Sequence, residues 1–276
     1  VYVQLIAFPI LVAGALIGGK WLTQRRFWWV GVAVGLMLFG LVIVGHRTQQ
    51  YRFVAPVSWA VDADWSPLLM TAAVGVVFAT LIPKLPQRRV RIWVGVLSGV
   101  MLVYYGLLPA VMPLLSRGRL VAAGNLMDRN GICRQQYAFA CGPAAAVTCL
   151  GRLGIVDEEV GIAVEARSSP MFGTDGYLLA AAIERRHPGV QARHRYAATL
   201  GEVRTPAVAE MIMPVIGGHY IAILEIRGAT VVVGDPMGGQ QEMPREVFGA
   251  YWQHAVLEIG TGAAGGGRVV NLMRGQ

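Results

Sequence analysis

The chain has 276 residues, 55% of them hydrophobic and only 14% charged, with a formal net charge of +8. That length allows one or two domains, and so apolar a composition is unusual for a soluble protein of this size. Residues 1–116 hold nine Lys/Arg against two Asp/Glu, and residues 117–276 hold fifteen against fourteen. The basic excess therefore flanks apolar runs, a membrane-topology pattern that argues against nucleic acid as a partner.

Four stretches without a charged residue approach or exceed bilayer length: 1–19, 27–45, 66–83 and 92–116. They are apolar all round, unlike the amphipathic helices of a soluble core. The first lacks a basic leading region and is followed at once by another apolar run, so it does not read as a cleaved signal peptide. Trp21, Phe27, Trp28 and Trp29 cluster at one boundary, where amphipathic rings favour the headgroup layer. None of the four holds Asp, Glu, Lys, Arg or His, which argues against an ion or proton path. Residues 1–116 thus read as a four-helix transmembrane anchor in contact with the lipid bilayer, and 117–130 as a linker.

The connections differ in charge. Lys20, Arg25 and Arg26 follow the first span and Lys84, Arg88, Arg89 and Arg91 the third, whereas the middle connection balances Arg47 and Arg52 with Asp62 and Asp64. Basic short loops favour the cytoplasm. The expectation is a multi-pass inner or cell membrane protein with both termini, and the domain that follows, outside the cytoplasm.

Residues 131–260 carry a different pattern. Cys141 sits where a polar and aromatic stretch gives way to Gly142-Pro143 and an alanine-rich run. Proline is tolerated in a helix's first turn, and Ala146, Val147, Leu150 and Leu153 recur at helical spacing. Cys141 thus falls at a helix N-terminus, whose dipole stabilises a thiolate. A second helix is expected from Asp157 to about Arg167, and a third from Asp175 to Arg186, with Thr174 as N-cap and His187-Pro188-Gly189 as stop. From Met211 the period becomes that of strands: MIMPVI, HYIAILEIR, TVVVGD and, after a short helix with Phe248, Tyr251 and Trp252, AVLEI. In HYIAILEIR, alternation sends His219, Ile221, Ile223 and Glu225 one way and Tyr220, Ala222, Leu224 and Ile226 the other. Helices then antiparallel strands make an α+β domain, and 261–276 reads as a flexible tail.

His219 opens a strand and Asp235 ends the next, so hairpin pairing brings both to one sheet end. Cys, His and Asp are the set with which cysteine hydrolases work: thiolate attack, proton shuttling, and a carboxylate that fixes the imidazole tautomer. Gln135, six residues before Cys141, offers a side-chain amide as oxyanion donor beside the Cys141 backbone N–H. His187, His194 and His254 lack such context and read as loop or surface residues. The cysteines (Cys133, Cys141, Cys149) form no CxxC pair, so neither a metal nor a dithiol site is expected. Cys133 and Cys149 are either two buried thiols or a pair formed in an oxidising compartment.

The run Gln135…Ala140-Cys141-Gly142-Pro143, then Gly173-Thr174, MIMPVI, His219, Asp235-Pro236 and Phe248…Trp252 resembles, in order and spacing, the bacteriocin-processing cysteine peptidases. These are the papain-like double-glycine leader peptidases usually fused to export transporters. Ala140 departs from the family's acidic residue before the Cys, and Ala144 from its common second Cys. The resemblance implies a papain-like domain, Cys141 as nucleophile, His219 as general base, Asp235 as its orienting partner, Gln135 as oxyanion donor and no cofactor. It further implies a peptide or protein substrate, cut after small residues such as Gly-Gly, and an exporter partner. With no Walker motif, no ATP is expected. The reading is therefore a membrane-anchored cysteine peptidase. Its alternatives are a peptide-binding module without turnover and a transglutaminase-like cysteine acyltransferase.

Overall fold

In the computed structural model, residues 2–62, 64–120, 124–214 and 217–261 are described. Val215 and Ile216 of the MIMPVI run, residues 121–123 of the linker and nearly all of the stretch read as a flexible tail lie outside them.

The apolar runs form long helices, α1 (Tyr2–Thr23), α2 (Trp28–Arg47), α5 (Ser66–Leu81), α6 (Arg88–Leu102) and α7 (Leu108–Leu120). Two short helices, α3 (Gln49–Arg52) and α4 (Val57–Ala60), lie in the middle connection. A π-helical turn, Val103–Leu107, joins α6 to α7, so that Arg88–Leu120 is one continuous rod. Pro109 cannot donate to the carbonyl four residues back, and the wider turn just before it absorbs the misfit. The last rod continues past residue 116, so the first residues read as linker are helical. Four helices are long and apolar enough to cross a membrane.

Close packing centres on α5, which lies against both α1 and α2. Gly19 abuts Ala79 and Gly35 abuts Val77 so tightly that a Cβ at either glycine would clash. Small residues let helices approach where no hydrophobic force drives them together. Lys84 stacks over Trp28 with Nζ 5.6 Å from the ring centroid. The two basic connections therefore share one end of the bundle, and the peptidase-like domain sits at the other.

That domain begins with a small hairpin, β1 (Leu126–Met127) and β2 (Cys133–Arg134), followed by α8 (Cys141–Arg152), α9 (Glu159–Glu165) and α10 (Gly176–Arg186). The strands β3 (Val190–Tyr196), β4 (Ala207–Met213), β5 (Gly217–Arg227), β6 (Thr230–Asp235), β7 (Gly239–Pro244) and β8 (Trp252–Thr261) form one antiparallel sheet in the order β3-β8-β4-β5-β6-β7. Helix α11 (Arg245–Tyr251) precedes β8. One sheet face, with Val208, Tyr220, Ala222 and Leu257, packs on Leu150, Ile162, Leu179 and Ile183 of the helices. The opposite face, with Ile221, Ile223, Val233 and Val256, is closed by Phe248 and Trp252. The expected α+β architecture, apolar helices followed by helices on an antiparallel sheet, is what forms.

Local expectations fail in four places. The second helix starts at Glu159 because Asp157 is held by Arg186 and His187. The cap of α10 is Asp175, whose Oδ1 accepts from the N–H groups of Tyr177 and Leu178, and not Thr174. Four strands, the short β1 and β2 and the sheet strands β3 and β7, went unread. In β5 the alternation breaks at Leu224: Ile223 pairs with Val233 and Glu225 with Val232, so one residue bulges out and Ile226 turns to the face of Ile221 and Ile223.

Candidate active site

Cys141 is the first residue of α8, and Ala140 before it gives no side-chain cap. The carbonyl of Ala140 takes the Ala144 N–H at 3.0 Å. The backbone N–H groups of Cys141 and Gly142 belong to the helix's first turn, which has no intrahelical acceptor for them, and Pro143 has none to offer. Gly142 is closely packed: a Cβ there would stand 3.2–3.3 Å from Tyr220, Leu179 and Thr174, tighter than ordinary contact.

β5 and β6 are hairpin neighbours, which carries His219 and Asp235 to the same sheet end. His219 Nε2 and Asp235 Oδ1 are 2.8 Å apart. The same oxygen accepts the Met237 N–H at 2.8 Å, so the turn after β6 fixes the carboxylate. With Nε2 engaged by Asp235, Nδ1 is the ring nitrogen left for the Cys141 thiol, which lies close enough to help raise the ring's pKa. Burial alone would lower the His219 pKa, but the hydrogen bonds from Asp235 and Cys141 outweigh it and hold the ring up at about 9. Burial pushes the Asp235 carboxyl up, and His219 with the Met237 and Gly238 N–H groups pulls it below its ordinary value. These are two views of one pair.

The structure thus brings Cys141, His219 and Asp235 together. Gln135 lies beside the Asp235 turn: its backbone N–H donates to Pro236 O at 3.1 Å, and its side-chain Nε2 donates to Tyr137 O at 3.1 Å. Its Oε1 is buried without a hydrogen-bond partner among the described residues. All three cysteines are free thiols. Burial, reinforced by the charge of Glu159, pushes Cys133 up to about 12, and burial takes Cys149 higher still.

Of the histidines expected in loops or at the surface, His187 lies in the loop after α10, whereas His194 and His254 are on strands. His194 is on β3, its ring 4.9 Å from that of Phe53 and 4.7 Å from that of Tyr177, and burial drives its pKa down to about 3. His254 stacks on Trp252 in β8, and His187 ends α10 against Asp157 at 2.7 Å.

The roles of four residues, Thr174, Asp175, Glu210 and Arg52, escaped the sequence reading. Thr174 donates to Phe139 O at 3.2 Å and shares a hydrogen bond with Ser168 at 2.7 Å, tying the Gly-Thr loop to the segment just before Cys141. Asp175 and Glu210 meet Arg52, from the bundle's middle connection, at 2.8 and 3.4 Å. Burial lowers the Arg52 pKa, but the two carboxylates overrule it and keep the guanidinium charged. Burial, with the charge of Asp175, raises Glu210 more than Arg52 lowers it, and by distance Asp175 is the closer partner of Arg52. The Gly-Thr motif was a signal for Thr174; nothing in local sequence points from Arg52 to residues more than 120 positions away.

Helices packed on one face of an antiparallel sheet, a cysteine opening the buried helix and a His–Asp pair on neighbouring strands define the papain-like cysteine peptidase fold. Residues 129–263 match the family model of the peptidase C39 family. An uncharacterized protein of Methanothermobacter marburgensis is 28% identical over 128 residues, which is 46% of this chain and 87% of that protein. Among solved structures, the peptidase domain of Streptococcus ComA, a bifunctional ABC transporter of a quorum-sensing pathway, is 17% identical with a TM-score of 0.43, over 47% of this chain and 96% of that one. A double-glycine-motif protease from an AMS/PCAT transporter, in complex with a leader peptide, is 17% identical with a TM-score of 0.42, over 50% and 92%.

Proposed function

We propose that the chain is a membrane-anchored cysteine peptidase that hydrolyses a peptide bond in a peptide or protein partner, after small residues such as Gly-Gly. The observation that carries this is the His219 ring, held by Asp235 on one side and in reach of the Cys141 thiol on the other. His219 takes the thiol proton; the Cys141 sulfur adds to the scissile carbonyl. The oxyanion is held by the free N–H groups at the start of α8 and by the second N–H of Gln135 Nε2, the first being bound to Tyr137. The imidazolium then gives its proton to the departing amine. Water, deprotonated by His219, cleaves the thioester and returns the thiol. Asp235 keeps the ring oriented throughout. On this reading residues 131–260 are the catalytic unit, residues 1–116 the anchor, and an exporter a natural partner.

A thiol-directed probe on the detergent-solubilised protein is expected to label wild type, Cys133→Ala and Cys149→Ala but not Cys141→Ala, because the other two thiols stay protonated. Labelling that survives Cys141→Ala would sink the assignment.

We also propose that the peptidase domain lies outside the cytoplasm. The seven basic residues of the two short connections share the bundle end opposite the domain, and such loops favour the cytoplasm. Protease added to intact spheroplasts is expected to digest residues 124–261 and spare the 84–91 connection. A domain protected until lysis would reverse the orientation.

A further inference from the structure

A cavity of about 450 Å³ opens where the bundle meets the peptidase domain. Its bundle side includes Ile43, Met70 and Tyr104, and its peptidase side Thr174, Glu210 and Tyr220. We propose that this cavity binds the substrate. Its occupant is an apolar peptide stretch adjoining the scissile bond, presented from the membrane face, so that the bundle forms half of the peptidase's binding site. The inference rests on Cys141 being the nucleophile and adds to it the class of peptide.

Three observations support the occupant. The first is continuity. Thr174 and Tyr220, which line the cavity, are the residues that close around Gly142, next in chain to Cys141. A chain lying in the cavity therefore touches the residues that pack around Gly142, beside the nucleophile, and this adjoins the reaction site as a lipid tail need not. The second is charge. Every acidic or basic side chain on the lining already has a partner: Arg52 pairs with Asp175 and Glu210, Arg167 with Asp64, and His46 shares a hydrogen bond with Ser66. No charge is left to recruit a charged ligand, so contact with the walls must come from apolar side chains. The third is the Tyr220 hydroxyl, which has no hydrogen-bond partner among the described residues and is free to take a backbone group of a bound peptide. The volume is within the roughly 300–1,000 Å³ of ordinary ligand sites.

The test uses the full chain in lipid nanodiscs and two chloromethyl ketones ending in Gly-Gly. One is only acetylated, and the other carries Leu-Val-Leu-Leu before the glycines. In both, the Cys141 sulfur displaces chloride from the methylene carbon and forms a thioether, so that intact-mass spectrometry reads the rate. The longer reagent is expected to react at least about ten-fold faster, the gain that 1.4 kcal/mol of added contact gives. Ile43→Trp, which fills the cavity, should bring the ratio of the two rates towards one. Val44→Trp, on the outward face of α2, should leave the ratio unchanged and so excludes simple partitioning of the reagent into lipid. Should Ile43→Trp fail to fold, a photo-leucine version of the longer reagent gives the answer on wild type, with crosslinks expected to residues of α2, α5 or the turn at 103–107. Equal rates in wild type, or crosslinks confined to the peptidase domain, would overturn the cavity's role and leave the catalytic reading intact. If neither reagent alkylates Cys141, both fall together.

Discussion

The two halves of the chain solve opposite solvent problems with similar residues. In the bundle, Ile10 is 65% exposed and Trp93 72%, whereas in the peptidase domain Ile183 and Phe248 are wholly buried. Outward apolar side chains are stable only if the solvent is itself apolar, so the bundle's surface fits lipid. Its interior combines close glycine and alanine contacts with a small apolar cluster around Val42, Ala60 and Met70. The peptidase domain follows the aqueous rule, with apolar groups on both sheet faces and its polar groups concentrated at the sheet end. Where the halves meet, neither rule applies: a buried ion cluster joins them, with Arg52 supplied by one and Asp175 and Glu210 by the other.

That junction is the place where the comparison breaks most easily. Arg52→Ala leaves two carboxylates facing each other without their cation, and removing one partner of a buried pair typically costs about 3–5 kcal/mol. The expected outcome is a lower urea midpoint in micelles and faster proteolysis of the 46–65 connection. Arg52→Met should behave alike, because the lost charge matters more than the lost volume. A variant as stable as wild type would show that Asp64–Arg167 and the Tyr137 hydroxyl to Arg119 carbonyl bond (2.7 Å) suffice to hold the halves together.

The contrast between the two surfaces is sharpened by truncating isoleucine in each. Ile183→Ala empties part of a packed core and should cost about 2–5 kcal/mol. Ile10→Ala removes a methylene surface from lipid contact and is expected to change stability by less than about 0.5 kcal/mol. Unfolding of both variants in the same nanodiscs measures the difference. Equal penalties would mean that Ile10 packs against protein and that the bundle has a partner on that face.

What the sequence disclosed follows the range of the interactions concerned. The spans were legible because apolar length is a local property, and Cys141 because Gly-Pro after it fixes a helix start. His219 and Asp235 were legible because two runs joined by a tight turn at Gly228 can hardly avoid pairing. β3 and β7 were not, and both are edge strands. Their sequences, VQARHRY and GQQEMP, are polar because an edge has less to bury and is protected by charge against further pairing. The Leu224 bulge left no mark, since a bulge depends on the partner strand's register. Asp175 displaced Thr174 as cap because Thr174 had a longer-range task at Phe139. Arg52 was counted only as a loop charge, its partners lying in another domain.

The last expected effect is a dependence on pH, and it distinguishes the His219–Asp235 pair from an exposed ion pair of the same sheet. The folded-state pKa of His219, about 9, stands above the ordinary 6.5, so folding favours the protonated ring. A raised pKa stabilises fully below the unfolded value, here below 6.5, fades as pH rises, and is gone above about 9. The lowered pKa of Asp235 sets the other limit: its share is present above the ordinary 3.8 and is lost as pH falls through its folded value. The plateau therefore runs from about pH 4 to 6.5. The rise from 6.5 to about 9 corresponds to on the order of 3 kcal/mol at most, an amount shared with the Cys141 thiol. Asp235→Asn removes the larger contribution, so its melting temperature in micelles should fall several degrees below wild type at pH 6, and the gap should close as pH approaches 10. The surface pair Arg227–Glu225 at the end of β5, exposed and 2.6 Å apart, serves as the control: Glu225→Gln should show no such closing gap between pH 6 and 10. An Asp235→Asn gap that stays constant over that range would mean that His219 is neutral in the folded protein, and that Cys141 and His219 rest as thiol and imidazole until substrate arrives.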